Sequence, residues 1–392
     1  MIKFSVKVVA SVWAMFQLVI AWNPVFMDDL LRRVLHTTFA LLIGFLMVAD
    51  SGGKFKSLKR ILGSVFIVFV VANAIYYTLE IDRITQRITA FDPLTMFDML
   101  FASTFSIVLL FALYFSLGIW FTVLVSIFLV YGVLTIPLHR LNEWLYLTPQ
   151  SIFGIPIMAS TYFIYMFILF SSVLTQTGAA KFFTDLAFCI TGRSRGGPAK
   201  AAVVSSALVG TISGSAVANV VTTGTFTIPL MKKTGYRSEF AAAVEASAST
   251  GGQIMPPVMG ASAFVMAQIL GISYWSVAVA AAVPAILYFV AIYFMVDLEA
   301  ARIGLKGLKG SELPRFTIVI RRGYLLLPLV IIVVLLSMQY SPTMSALYGV
   351  VSTLLLSLVH RDTRITVMKL ITAFEDTGKA TVQVALACAG AG

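Results

Sequence analysis

Two stretches of this chain carry residue types and spacings suited to chemistry. One is Ser213-Gly214-Ser215 with Asn219 four residues on; the other is Ser249-Thr250-Gly251-Gly252-Gln253-Ile254-Met255-Pro256-Pro257. Both sit inside long apolar runs, where a break in a helix frees backbone N–H and C=O groups. Each freed group is costly in hydrocarbon unless protein or a water-filled cavity satisfies it. Gly and Ser suit a tight reversal at 213–215, and two adjacent prolines remove two backbone donors at 256–257. Helix C-terminal carbonyls before each break favour a cation, and the N-terminus of the helix that follows, near Ala216 to Asn219, favours an anionic group.

Glu245 is the only acidic residue in the apolar run 240–296. A carboxylate inside a membrane is a functional candidate by default. The alternative is an interfacial residue pairing with Lys232 or Arg237. The glycines and serines likewise have a plainer reading, a close helix-packing interface of the small-xxx-small kind.

The elements that hold these residues follow from composition. Of 392 residues, 59% are hydrophobic and 11% charged, far below the roughly 25% charged of a soluble domain. The apolar residues run in blocks, which excludes a soluble enzyme, a disordered chain and a disulfide scaffold and predicts an all-α polytopic protein of the lipid bilayer. The net charge of +11 falls in clusters between apolar runs, the positive-inside pattern and not a nucleic-acid groove. Cys189 and Cys388 have no metal-ligand spacing and read as packing residues. His36, His139 and His360 are scattered and read as interfacial.

Uncharged runs place spans at 8–27, 34–49 and 61–79, two in 99–139 with a break near Gly118, and one in 144–180. Two more lie in 246–296 extended back to Phe240, breaking at Gly271-Ile272-Ser273; two lie in 323–360, breaking at Ser341-Pro342; and a short run closes the chain at 380–392. That makes about ten spanning helices, with the first retained as a span rather than cleaved as a signal peptide. The run 201–231 is too short for two crossings. Treating it as a re-entrant hairpin places 23 of the 28 Lys and Arg on the side of Lys54, Lys56, Lys59 and Arg60, the cytoplasm, together with the N-terminus. Lys200 to Ser213 and Glu239 to Gly251 are each about 20 Å of helix, so the two breaks are expected at one depth. Paired breaks at one depth are the pattern of a transporter's ion and substrate site. The second helix is expected to stop near Gly251 and restart at about Pro257.

The segment carrying GTISGSAVANVVTTG and STGGQIMPPVMGA resembles the large membrane subunit, DctM-like, of tripartite ATP-independent periplasmic (TRAP) transporters. It is most similar to the fused small-plus-large (4TM/12TM) permeases that work with a TAXI-type binding protein. The resemblance is strong over 140–305 and loose elsewhere. It implies the first half of an inverted-repeat, elevator-type permease of the bacterial inner membrane, importing small organic anions delivered by a periplasmic binding protein. It implies an ion gradient as the driver, Na+ or H+, with no cofactor. Residues 1–118 would be a four-helix small-subunit-like scaffold. Residues 119–392 would be the first part of the large subunit, with the hairpin at 199–231, the broken helix at 240–270 and a last helix cut short at 380–392.

Carried over by position, Ser213 and Ser215 would give side-chain oxygens to the ion, and Gly252, Met255 and Pro257 backbone carbonyls. Asn219 and Gly214 would lie at the substrate; Glu245, singled out by its place in the apolar run and not by the resemblance, would be a coupling carboxylate. The family has a second repeat with its own hairpin, and the sequence stops at VALACAGAG before it, as a truncated permease would. Alternatives are a non-transporting scaffold or assembly subunit and a membrane-embedded enzyme. The enzyme reading finds no HExxH and no paired Asp.

Overall fold

A computed structural model describes residues 2–50, 56–359 and 361–392; Lys54 and His360 lie outside them. Every regular element among the described residues is helical. Seven helices are long and apolar enough to cross a membrane, or eight if the bent pair Gly310–Ile320 and Gly323–Ser337 is one span. The ten read from the apolar runs include two that fall short of an unbroken span, the 17-residue Ile119–Thr135 and the broken segment 238–270.

Breaks fall where backbone chemistry demands them. Gly118 (φ 87°) separates Met96–Leu117 from Ile119–Thr135, a left-handed conformation that favours glycine. Thr95 and Asp98 form a reciprocal capping box at the start of the first of these, with bonds of 3.1 and 2.9 Å. Ser273 caps Tyr274–Arg302 by accepting from the Ser276 N–H at 3.2 Å, and Pro342 opens Pro342–Val359. The first helix stops at Trp22, short of the expected 27, because the residue before Pro24 is pushed out of the α region.

The last helix is Val367–Ala391, thirteen residues longer at its start than the run 380–392. Its charges are accommodated by pairing: Glu375 binds Lys379 at 2.6 Å, one turn on, and Lys7 at 3.6 Å.

The chain divides into two compact units, 1–169 with 370–392, and 170–369. The break at 118 therefore falls inside the first unit. In that unit the last helix packs on the first two, where a Cβ on Gly378 would stand 3.0 Å from Ala10 and from Ile43. His36, expected near a span end, is fully buried about two turns inside Asp29–Asp50. Its ring bridges Gln17 at 2.8 Å and Ser160 at 2.9 Å, so hydrogen bonds replace the water that an interfacial histidine would use. His139 is exposed.

Arg87 and Glu143 form a buried pair at 3.1 Å, and Glu143 also accepts the Ala90 N–H at 3.2 Å. Removing one partner of a buried pair strands the other charge. Glu143→Ala should therefore lower unfolding stability by about 3 kcal/mol, read as a fall in melting temperature in detergent. The exposed pair Arg237–Glu239 serves as control, and Glu239→Ala should change little.

The second unit is built around small residues. Ala199 and Ala202 of the helix Gly197–Ser213, Ala241 and Ala248 of Ser238–Gly251, and Ala300 of Tyr274–Arg302 share one buried core. Such residues let backbones approach closely where the lipid supplies no hydrophobic drive. Lys200, almost wholly buried, is neutralised by Asp297 at 2.6 Å and lies 5.0 Å over the Tyr293 ring.

Candidate functional site

The site is assembled by a helical hairpin, Gly197–Ser213 and Ala216–Lys233, set against the broken helix Ser238–Gly251. Gly214 (φ 56°) makes the reversal. The two hairpin arms run antiparallel in contact: Asn219 Nδ2 donates to the Ser206 carbonyl at 2.8 Å, and the Ser206 and Thr223 hydroxyls are 3.3 Å apart.

Glycine permits the hairpin and the break to meet. A Cβ on Gly252 would stand 2.9 Å from Gly210 Cα and 2.9 Å from Asn219 Nδ2. The Val258 N–H donates to the Thr211 carbonyl at 3.2 Å, and a Cβ on Gly214 would stand 3.2 Å from the Val258 carbonyl oxygen. The two interruptions found in the sequence are thus in direct contact.

The break is longer than expected. Ser238–Gly251 passes into a tight turn at Gly252–Ile254, and the next helix starts at Ala261, not at Pro257. The N–H groups of the intervening residues are committed elsewhere: Val258 to Thr211, Met259 to the Tyr274 hydroxyl at 3.2 Å, and Gly260 back to Gln253 at 2.7 Å. These bonds hold 258–260 against the hairpin and Tyr274, and the chain is still extended at Gly260 (φ −64°, ψ 164°), one residue before the helix begins.

The individual residues divide by what their polar atoms do. Ser213 Oγ and Asn219 Oδ1 are buried with no hydrogen-bond partner. Asn219 is fully buried, with Nδ2 bonded across the hairpin to the Ser206 carbonyl. Ser215 Oγ accepts the Ala218 N–H at 3.3 Å and caps the returning helix. The Gly252 carbonyl accepts the Met255 N–H at 3.3 Å, and the Pro257 carbonyl accepts the Tyr274 hydroxyl at 2.7 Å. Met255 packs its side chain on the small-residue core. Gly214 lies against the Val258 and Met259 carbonyls.

Glu245 is fully buried and makes no ion pair among the described residues. Pairing with Lys232 or Arg237 does not occur: Lys232 is exposed and Arg237 pairs with Glu239. Its carboxyl group instead meets four hydroxyls, those of Thr223 and Thr227 closely and those of Ser206 and Ser249 at 3.3 Å. These partners were not singled out in the sequence, yet they leave a mark there. Asn219, Thr223 and Thr227 recur every four residues, as do Glu245 and Ser249, which places each set on one helix face.

With this geometry in hand, similarity to other proteins assigns the family. A family model described as tripartite ATP-independent periplasmic transporter, DctM component, matches residues 104–392. The chain belongs to that family. A C4-dicarboxylate TRAP transporter large permease protein DctM from Vibrio cholerae is 42% identical over 91 residues, 23% of this chain and 20% of the relative. One of the same name from Pseudomonas aeruginosa is 29% identical over 202 residues, 51% of this chain and 47% of the relative. The uncharacterized protein YgiK of Salmonella typhimurium is 27% identical over 205 residues, 52% and 47%. The chain spans at most about half the length of these relatives. Those with a stated role are named as transporter permeases, not enzymes.

Proposed function

We propose that this chain is part of the membrane component of a secondary transporter of the bacterial inner membrane, its N-terminus cytoplasmic. It imports small organic anions, carboxylates above all, that a periplasmic binding protein of the TAXI type delivers. An ion gradient, Na+ or H+, drives the import. Residues 1–118 act as a membrane-fixed scaffold.

One observation carries this reading: two buried, unpartnered oxygens, Ser213 Oγ and Asn219 Oδ1, lie on the hairpin whose tip meets the second break. An orphaned acceptor in a buried place is a liability that a bound cation removes. The carbonyls of Gly252, Met255 and Pro257, in the break that meets the hairpin, are the oxygens that would complete the shell a hard cation requires. The N-terminus of Ala216–Lys233, with Gly214 and Ser215 before it, offers backbone N–H groups to a carboxylate. The printed name of the V. cholerae relative, a C4-dicarboxylate permease, points to the same substrate class.

The test is uptake of a radiolabelled C4-dicarboxylate into proteoliposomes holding the full-length permease, with its binding protein outside and an imposed ion gradient. Ser213→Ala with Ser215→Ala should abolish ion-driven accumulation. Ser215→Ala alone should keep ion dependence and lower stability by about 1 kcal/mol, the worth of a helix cap. Survival of ion-dependent uptake in the double variant would remove Ser213 from the site.

A further inference from the structure

Glu245 is a formal charge whose partners are all neutral. The groups facing it can be named element by element. Ser206 comes from the first hairpin arm, whose Lys200 is engaged by Asp297. Thr223, Gly224 and Thr227 come from the returning arm, whose Lys232 and Lys233 are exposed. The long helix Tyr274–Arg302 offers Tyr288, whose hydroxyl is bonded to the Ser247 carbonyl at 2.9 Å. Both carboxyl oxygens meet hydroxyls, and Gly224 packs against the side chain, where a Cβ would stand 3.0 Å from Glu245 Cγ.

The hydroxyl cage accepts either protonation state without moving a heavy atom. Thr223 Oγ1 also reaches the Asn219 carbonyl at 2.8 Å, and Thr227 Oγ1 the Thr223 carbonyl at 3.0 Å. Each hydroxyl carries one proton and has two places to put it. With Glu245 ionised, both threonines donate to it. With Glu245 protonated, it donates to one threonine, which turns its own proton to the helix carbonyl. The same residues lead to one of the unpartnered oxygens: Asn219, whose carbonyl Thr223 reaches, bonds the Ser206 carbonyl through Nδ2 and presents Oδ1.

One negative charge thus has two ways of being balanced, a proton on the carboxyl group or a cation at the neighbouring oxygens. Both together leave an excess positive charge in a buried place, and neither leaves a bare carboxylate. We infer that Glu245 is a proton-binding site that gives up its proton when a monovalent cation binds at the unpartnered oxygens of the hairpin, Asn219 Oδ1 first among them. In that exchange the carboxylic O–H bond breaks, its electron pair stays on the carboxylate, and the proton passes to water. The inference rests on the transporter reading and adds a second, linked cation to it.

The experiment needs no transported substrate. Purified full-length permease in weak buffer is titrated with NaCl, with choline chloride as control, and proton release is followed with an indicator dye. Wild type should release protons as sodium saturates, and sodium affinity should weaken up to about tenfold per pH unit on acidification, the reciprocal of the same linkage. Glu245→Gln, whose amide keeps hydrogen bonds to the hydroxyls, should release none and lose the pH dependence. Thr227→Val, should the first variant fail to fold, must shift the pH range of release. Absence of release from wild type, or undiminished release from Glu245→Gln, overturns the inference. Gradient-driven dicarboxylate uptake without sodium-induced release would retain the transporter reading and discard this one alone.

Discussion

Gly252→Ala should destabilise the protein by about 1–3 kcal/mol, where the same change at an unconstrained helical position stabilises by about 0.5–1 kcal/mol. Gly252 sits at φ −59° and ψ −25°, a conformation any residue adopts, so alanine meets no backbone strain. The penalty is steric. The added Cβ would lie 2.9 Å from Gly210 Cα, a backbone atom that cannot swing away, and 2.9 Å from the Asn219 amide. Hairpin and broken helix must part, carrying the Val258–Thr211 bond with them. Gly323→Ala is the matched control, since nothing lies within 4 Å of its Cβ position. Thermal unfolding in detergent reads both. A Gly252→Ala protein as stable as wild type would mean that the glycine pair is not a tight contact.

Asn219→Ala should remove the stabilisation that sodium gives. A ligand present at a hundred times its Kd adds about 2.7 kcal/mol to the folded state, an easily read rise in melting temperature. Wild type should show this rise with NaCl and not with choline chloride. Asn219→Ala loses Oδ1, the unpartnered acceptor, and the 2.8 Å bond to Ser206, so its basal stability falls by about 1 kcal/mol and the sodium-dependent rise disappears. Thr222→Ala, three residues on, half-buried and with its hydroxyl bonded to the Ala218 carbonyl of its own helix, should keep the rise. An equal sodium effect in Asn219→Ala would sink its role as a ligand.

The two predictions draw on different kinds of information. That 213–215 reverses the chain is legible locally, because Gly and Ser stop a helix wherever they occur together in a polar patch. The same holds for Gly118, Gly271 and Pro342, each of which ends or starts a helix where the residue type requires it. The start of the helix after the second break was not legible. Prolines at 256 and 257 suggest a restart there, but Val258, Met259 and Gly260 give their N–H groups to Thr211, Tyr274 and Gln253, and two of those partners lie far away in the chain. The last helix extends further back for a related reason: Lys379 reads as the edge of a span until Glu375 is placed beside both it and Lys7, which comes from the opposite end of the chain.

By itself, the sequence determined the class of solvent, the all-helical fold, the positions of the breaks and the residues at them. These follow from burial and backbone propensity, which act within a few residues. Only the tertiary structure decided which oxygens remain without partners and which charge remains without a counter-ion. Ser213 and Ser215 look alike in the sequence, yet one is orphaned and the other caps a helix. Glu245 lies in reach of two basic residues by number but in fact faces four hydroxyls. Hydrogen bonding and charge balance are decided at about 3 Å, and the neighbours at that distance are set by how the helices pack.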